Sequence, residues 1–283
     1  MLSLRTQLPI LSIALNSSRP LIIGHRGASA VAPENTLAAF MRALDEGADG
    51  VELDVRLARD GVPVVIHDAT LRRTGLREGI VAEMTSAELG KIDVGGWFNR
   101  ANPQFMHQEY AGQLVSTLEH VFRFFNEDAS REAIIYVELK TDKAEQSSNE
   151  LVHSVTQCID EFEFRSRVVV VSFNLNALAF IKQLDAGICT GALFEPRHTA
   201  RKLMSPRRMI ASAIDSGANE ILLNRLIVTR NSVLSARELN LRPVVWTVDN
   251  SKWIRRANML GIHAIITNNP AEMAAARGQI SGL

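Results

Sequence analysis

From residue 21 onward the chain alternates short, uninterrupted apolar runs with segments whose apolar residues recur at helical spacing, and this beat restricts the fold more than any other feature. The apolar runs fall at 21–24, 50–57, 133–139, 168–173, 189–194, 220–223, 243–248 and 264–267. They are too short for helices and mostly lack polar alternation, the mark of strands covered on both faces. Helical stripes lie between them at 33–44 (Leu37, Phe40, Met41 and Leu44, ended by Gly47), 117–126, 145–162, 175–184, 206–216, 230–240, 252–260 and 270–276. Asn269-Pro270 is a start signal for the last of these, with Asn as cap and Pro at the first helical position. Strict alternation requires a parallel sheet joined by crossovers, and eight such units suit closure into a (β/α)8 TIM barrel. The alternative is a doubly wound open sheet, but the Gly-x-Gly-x-x-Gly turn usual after its first strand is absent.

The beat breaks once. After a short run at 62–66, closed by His67-Asp68, residues 69–116 carry glycines and scattered charges without a period. This stretch reads as an insertion after the second strand rather than as a domain with its own core. What remains is an N-terminal arm (1–20) and one barrel domain (21–283), close to the size of about 250 residues usual for such barrels. Of the 283 residues, 46% are hydrophobic, ample for one large core. The 31 Lys and Arg balance the 31 Asp and Glu, so no nucleic-acid or membrane-surface partner is expected, and phosphate must be met by a few local cations. No run approaches the roughly 18 apolar residues that span a bilayer, which argues against stable membrane insertion. Arg5 with the apolar run 8–15 faintly resembles an export signal, but Pro9 interrupts it and Asn16-Ser17-Ser18 is a poor cleavage site. The expectation is an arm packed on the barrel and a cytoplasmic protein. Cys158 and Cys189 read as reduced, largely buried thiols.

Barrel enzymes place their chemistry at the C-terminal ends of the strands. The first strand here ends in Gly24-His25-Arg26-Gly27, the second carries Glu52-Leu53-Asp54, its short partner ends in His67-Asp68, and the third carries Glu138-Leu139-Lys140. Side chains alternate along a strand, so Glu52 and Asp54 share a side, as do Glu138 and Lys140. Three carboxylates meeting in a barrel mouth repel one another unless cations compensate them. A hard divalent ion such as Mg²⁺ or Ca²⁺ would do so through oxygen ligands; a salt-bridge network with Arg26, Arg56 and Lys140 would do so equally, and spacing leaves both open. His25 and His67 can exchange protons near neutral pH, or can simply pack at strand ends. Arg26 offers a planar fork to phosphate oxygens and Lys140 a point charge. The set as a whole suits phosphoryl transfer.

These residues also carry a resemblance. His25-Arg26-Gly27, Pro33-Glu34-Asn35-Thr36, Gly47-Ala48-Asp49, Glu52-Leu53-Asp54-Val55, Asp60-Gly61 and His67-Asp68 with Arg73-Thr74 form a dense match over 21–75 to the glycerophosphodiester phosphodiesterase family. It continues through Gly96-Trp97-Phe98, Thr117-Leu118-Glu119, Glu138-Leu139-Lys140, Ser172-Phe173, Val245-Trp246-Thr247-Val248 and Thr267. The resemblance implies a (β/α)8 barrel with a small insertion after the second strand. It implies hydrolysis of small glycerophosphodiesters, such as glycerophosphocholine, to sn-glycerol 3-phosphate and an alcohol. By the same resemblance His25 and His67 are the acid–base pair, and Glu52, Asp54 and Glu138 hold one divalent cation (Mg²⁺ or Ca²⁺, with Mn²⁺ also compatible). Arg26 and Lys140 contact phosphate, and Trp246 and Phe173 line the glycerol side. Two positions depart from the family pattern: Asn268 stands where an Asp usually follows Thr267, expected to affect loop anchoring, and Ser116 stands where Pro is common.

Other classes make different demands. A lysophospholipase D would need an apolar groove, for which Trp97-Phe98 and Phe105-Met106 are the only hint. A non-catalytic phosphodiester-binding barrel should have lost a histidine or an acid, and an aldolase or isomerase would show a Schiff-base lysine or a late glycine-rich phosphate loop. No histidine or acid of the set is lost, Lys140 is the only candidate strand-end lysine, and the last two units show no such loop. Residues 99–113 match the family least, and 97–113 are expected to overhang the mouth and select the leaving alcohol.

Overall fold

The structure, a computed structural model, describes residues 19–127, 132–141, 145–196 and 204–280. The arm expected over 1–20 lies outside the described residues except for Arg19 and Pro20. Strands β1 (Leu21–His25), β2 (Gly50–Leu57), β3 (Pro63–Val65), β4 (Ile134–Leu139), β5 (Val168–Ser172), β6 (Cys189–Phe194), β7 (Glu220–Asn224), β8 (Arg242–Trp246) and β9 (Ala264–Thr267) form one sheet. Its order is β1-β9-β8-β7-β6-β5-β4-β2-β3, and β1 also pairs with β2. That last pairing closes a parallel barrel and excludes the open doubly wound sheet. β3 lies outside the ring, antiparallel to β2.

Helices α1 (Leu37–Asp45), α2 (Leu118–Glu127), α3 (Glu145–Glu161), α4 (Leu175–Leu184), α5 (Pro206–Asp215), α6 (Arg230–Glu238), α7 (Lys252–Leu260) and α8 (Pro270–Ile280) surround it. Side-chain alternation sorts the strands into two cores. Outward residues such as Ile22, Val51, Leu53, Ile135, Val137, Val170, Ile221 and Ile265 pack under the apolar faces of the helices. Inward residues such as Leu21, Ile23, Ile134, Val169, Val171, Leu193, Leu222, Val244 and Ile266 fill the barrel. Below this apolar middle the interior turns polar: Tyr136 donates to Glu220 at 3.0 Å, and the Arg242 guanidinium donates to the same carboxylate at 3.0 Å. Cys158 and Cys189 are free thiols, Cys189 buried, and no described helix is long and apolar enough to cross a membrane.

Two expectations need correction. The helix expected over 33–44 begins only at Leu37, because Thr36 is extended and its hydroxyl caps the Ala39 amide. Pro33 to Thr36 form a turn in which Asn35 takes φ 58°, the left-handed region. The insertion also has more core than its lack of period suggests. Leu71, Val81, Leu89, Ile92, Val94 and Val115 are buried together, with Ala58, Val64 and Ile66 of the β2–β3 hairpin. Its short helices, Ser86–Leu89 and Gly96–Ala101, leave each segment too brief for a helical period to register.

Barrel closure at β2 depends on a missing side chain. A Cβ built on Gly50 would stand 2.1 Å from the Ile134 carbonyl oxygen of β4, and backbone on both sides prevents it from yielding. Gly61, in the hairpin loop at φ 77°, has nothing within 4 Å. Gly50→Ala should therefore cost about 3 kcal/mol, at the upper end for overpacking. Gly61→Ala should cost only about 1 kcal/mol, the strain of a left-handed alanine. Denaturant unfolding of the two variants measures the difference.

Candidate active site

The parallel register brings the expected residues together. His25 of β1 is aligned with Glu52 of β2, and Asp54 of β2 with Glu138 of β4, all pointing into the same end of the barrel. Glu52, Asp54 and Glu138 are buried, and each offers an oxygen within 4.8 Å of the others. Arg26 and Lys140 sit among them. Arg26 Nε lies 3.0 Å from Asp54 Oδ2, and Lys140 Nζ lies 3.0 Å from Asp54 Oδ1 and 2.5 Å from Glu138 Oε1. Neither contact to Asp54 has hydrogen-bond alignment, so Asp54 Oδ1 is a buried oxygen that no donor satisfies. An unsatisfied carboxylate oxygen facing two further acids is the donor set a hard divalent cation takes. The salt-bridge network and a cation site, which the spacing left open, are both compatible with this geometry.

The electrostatics point the same way. Burial, then the neighbouring Asp54 and Glu138, push the Glu52 carboxyl well above the ordinary range. Burial also raises Glu138, to about 7, although Lys140 opposes it. Burial pushes Asp54 up as well, but Lys140 and Arg26 outweigh it and hold this carboxyl below the usual range. Two of the three acids, Glu52 and Glu138, thus hold protons more readily than solvated carboxyls do, chiefly through burial.

The turn after β1 is shaped for the site. Arg26 adopts φ 54°, held there by its amide donating to Glu52 Oε2 at 2.9 Å and its carbonyl accepting from the Asn35 amide at 3.0 Å. Strain of this kind persists only where the surroundings over-determine it. Gly27, at φ 85°, brings the backbone against Ala39 of α1, where an added Cβ would lie 2.5 Å from backbone atoms. Its role is close packing on a helix.

His25 and His67 have different partners. His25 Nδ1 lies 2.7 Å from the Asn268 side-chain oxygen, and its Nε2 is 4.0 Å from Glu52. Burial, then Arg26, lower its pKa to about 4. His67 follows β3 and is fixed through its carbonyl by Arg56 at 2.8 Å and through Nδ1 by the Asp68 carboxylate at 2.7 Å. Burial lowers its pKa too, against the pull of Asp54. Phe173 and Trp246 meet edge to face, centroids 5.6 Å apart, and pack partly buried against the barrel's inner core. Trp246 Nε1 also donates to the Leu222 carbonyl at 3.3 Å, so packing and a place in the mouth are combined in one residue.

Several residues outside the expected set complete the arrangement. Asn35 clamps Asp54 with a side-chain donor at 2.8 Å and an acceptor for its amide at 3.1 Å. Arg73 bridges Asp68 at 2.7 Å and Glu34 at 2.6 and 2.9 Å, and Glu34 in turn accepts from Arg26 at 2.8 Å. The Arg73 guanidinium also lies over the Trp97 ring of the insertion, 5.8 Å from its centroid. Trp97, Phe98 and Tyr110 pack beside Ala32 and Ala39, which puts this part of the insertion on the α1 side of the rim. Asn268, expected to matter for loop anchoring, does tie its loop to Asp249 and to the Ala30 amide, and it is also the direct partner of His25. Glu34, Asn35, Asp68 and Arg73 stand in the motifs that carry the resemblance, but nothing in the sequence pairs Arg73 with Glu34.

Comparison with known proteins agrees with this geometry. The family model described as the glycerophosphoryl diester phosphodiesterase family matches residues 25–272. The glycerophosphodiester phosphodiesterase of Caldanaerobacter subterraneus is 31% identical over 252 residues, covering 89% of this chain and 95% of its own. That of Bacillus subtilis is 30% identical over 260 residues, covering 90% and 86%. The crystal structure of a Silicibacter pomeroyi protein superposes with a TM-score of 0.84 at 28% identity, over 95% of this chain and 98% of that one. With the match running from the first strand's histidine past the last strand, the chain belongs to the glycerophosphodiester phosphodiesterase family, hydrolases built on a (β/α)8 barrel.

Proposed function

We propose that this chain hydrolyses small glycerophosphodiesters to sn-glycerol 3-phosphate and an alcohol, using one divalent cation held by Glu52, Asp54 and Glu138. The observation that carries the reading is the convergence of three buried carboxylates, one with an unsatisfied oxygen, beside a histidine on each flank. When bound, such a cation polarises the phosphoryl oxygens and neutralises charge that develops on them. Arg26 and Lys140 have the complementary task. Anchored on Asp54, Glu34 and Glu138, they present fixed positive charge to the phosphate, which needs no reorganisation as the reaction proceeds.

The two histidines move the protons. One takes the proton from the attacking oxygen, which belongs to water or to the glycerol moiety's own hydroxyl; the other delivers a proton to the oxygen of the departing alcohol. Trp246 and Phe173 form the apolar wall on which the glycerol carbons rest, and Trp97 with its neighbours borders the path of the leaving alcohol. Residues 21–283 act in this reading as one catalytic domain with 69–116 as its insertion.

His25→Ala and His67→Ala should each lower kcat by on the order of 10²–10⁴ with intact folding, measured on glycerophosphocholine. Chelation should abolish turnover, and adding back Mg²⁺, Ca²⁺ or Mn²⁺ one at a time should identify the ion. Activity that survives complete metal removal, or that is confined to lysophosphatidylcholine, would overturn the reading. The cation must displace protons from carboxyls that burial has raised, Glu138 to about 7 and Glu52 higher than usual. Its apparent affinity should therefore fall as pH drops through about 7, and a titration calorimetry series across pH should show proton release on binding.

A further inference from the structure

The loop after β9 carries an arrangement that the family assignment does not account for. Asp249, following β8, accepts from the Asn268 amide at 2.7 Å and from the Thr267 hydroxyl at 3.1 Å with one oxygen, and from the Asn268 side-chain nitrogen at 2.8 Å with the other. A carboxylate can only accept, so the Asn268 side chain must turn its NH₂ toward Asp249. Its oxygen then faces the opposite way, and two groups use it: the Ser29 hydroxyl donates to it at 2.9 Å, and His25 Nδ1 lies 2.7 Å from it. An amide oxygen can only accept, so the proton of neutral His25 resides on Nδ1 and Nε2 is left bare, on the side of Glu52. The Asn268 carbonyl accepts from the Ala30 amide at 3.0 Å, tying the same loop to the turn that follows His25.

We propose that Asp249 and Asn268 are positioning residues for His25, with Asp249 setting the orientation of the Asn268 amide and Asn268 setting the His25 tautomer so that Nε2 meets the substrate. Asp249 thereby acts on His25 without touching it. His67 is held through Nδ1 by a carboxylate, His25 by an amide, so the pair is built asymmetrically. The proposal rests on His25 serving in proton transfer, but the tautomer can be read without turnover.

The test compares the wild type with Asn268→Leu, Asn268→Asp and Asp249→Asn. The His25 tautomer is read from long-range proton–nitrogen NMR in mildly alkaline buffer, and kcat and KM are measured on glycerophosphocholine. Wild type should show the proton on Nδ1. Asn268→Asp still offers His25 an acceptor, so it should keep that tautomer, with a lowered kcat because it sets a second carboxylate against Asp249. Asn268→Leu removes the acceptor and should lower kcat by on the order of 10²–10⁴ with KM changed less than about threefold, while an Nε2-bound proton appears. Asp249→Asn is isosteric and does not touch His25. It frees the Asn268 amide to flip, so it should give mixed tautomers and an intermediate loss of kcat. A wild-type proton on Nε2, an Nδ1 proton that persists in both Asn268→Leu and Asp249→Asn, or an unchanged kcat in Asn268→Leu would overturn the proposal. A wild type inactive on the diester would instead refute the substrate reading, and the spectra would still decide this one.

Discussion

Three carboxylates buried in one layer of a barrel repel each other, and most of the mouth can be understood as the response to that repulsion. The register of β1, β2 and β4 leaves the acids no room to separate. Arg26 is bent into a left-handed conformation to reach Asp54, and Lys140 is drawn between Asp54 and Glu138. Burial raises Glu52 and Glu138 above ordinary carboxyls, the neighbouring acids add to the rise, and the two cations do not offset it. Such a cluster suits a small positive ion, and in the proposed mechanism the same two cations then meet the substrate phosphate.

The barrel interior shows the same chemistry resolved differently at its other end. Glu220 is also fully buried, but it is a single acid that Tyr136 and Arg242 satisfy with well-aligned hydrogen bonds. Nothing there is left wanting, and the ion pair closes the floor. An apolar layer from Ile23 round to Ile266 separates the two polar ends. Floor and mouth are thus alike in composition and opposite in balance, and the balance distinguishes a structural acid from a reactive one.

The strand and helix alternation was legible because buried parallel strands leave continuous apolar runs, and interruptions at strand ends, His25, Glu52, Asp54 and Glu138, stand out against them. The start of α1 was misplaced because Pro33 and Glu34 look like a first helical turn, whereas Asn35 is committed to clamping Asp54 and cannot be helical. The insertion's core was hidden because its buried residues come singly from short turns and find their partners on the hairpin. Arg73, Asp249 and Asn268 were undervalued for a different reason. Each acts on a histidine or an arginine through side-chain contacts spanning up to 243 residues of sequence, and such contacts leave no periodic trace.

The two histidines are mounted on parts of unequal cohesion. His25 ends a strand of the closed barrel, and it can move only if the ring itself opens. His67 emerges from a hairpin outside the ring, where Val65 alone belongs to the barrel's outer core while Val64 and Ile66 belong to the small cluster under the insertion. Proteins open in cooperative units, and the unit with the fewest buried contacts opens first. Two bonds nonetheless tie this hairpin end to β2: the Ile66 amide donates to the Asp54 carbonyl at 2.9 Å and Arg56 donates to the His67 carbonyl at 2.8 Å. In the proposed mechanism one half of the proton-transfer pair therefore rides on the barrel ring, and the other on a hairpin whose core is shared with the insertion.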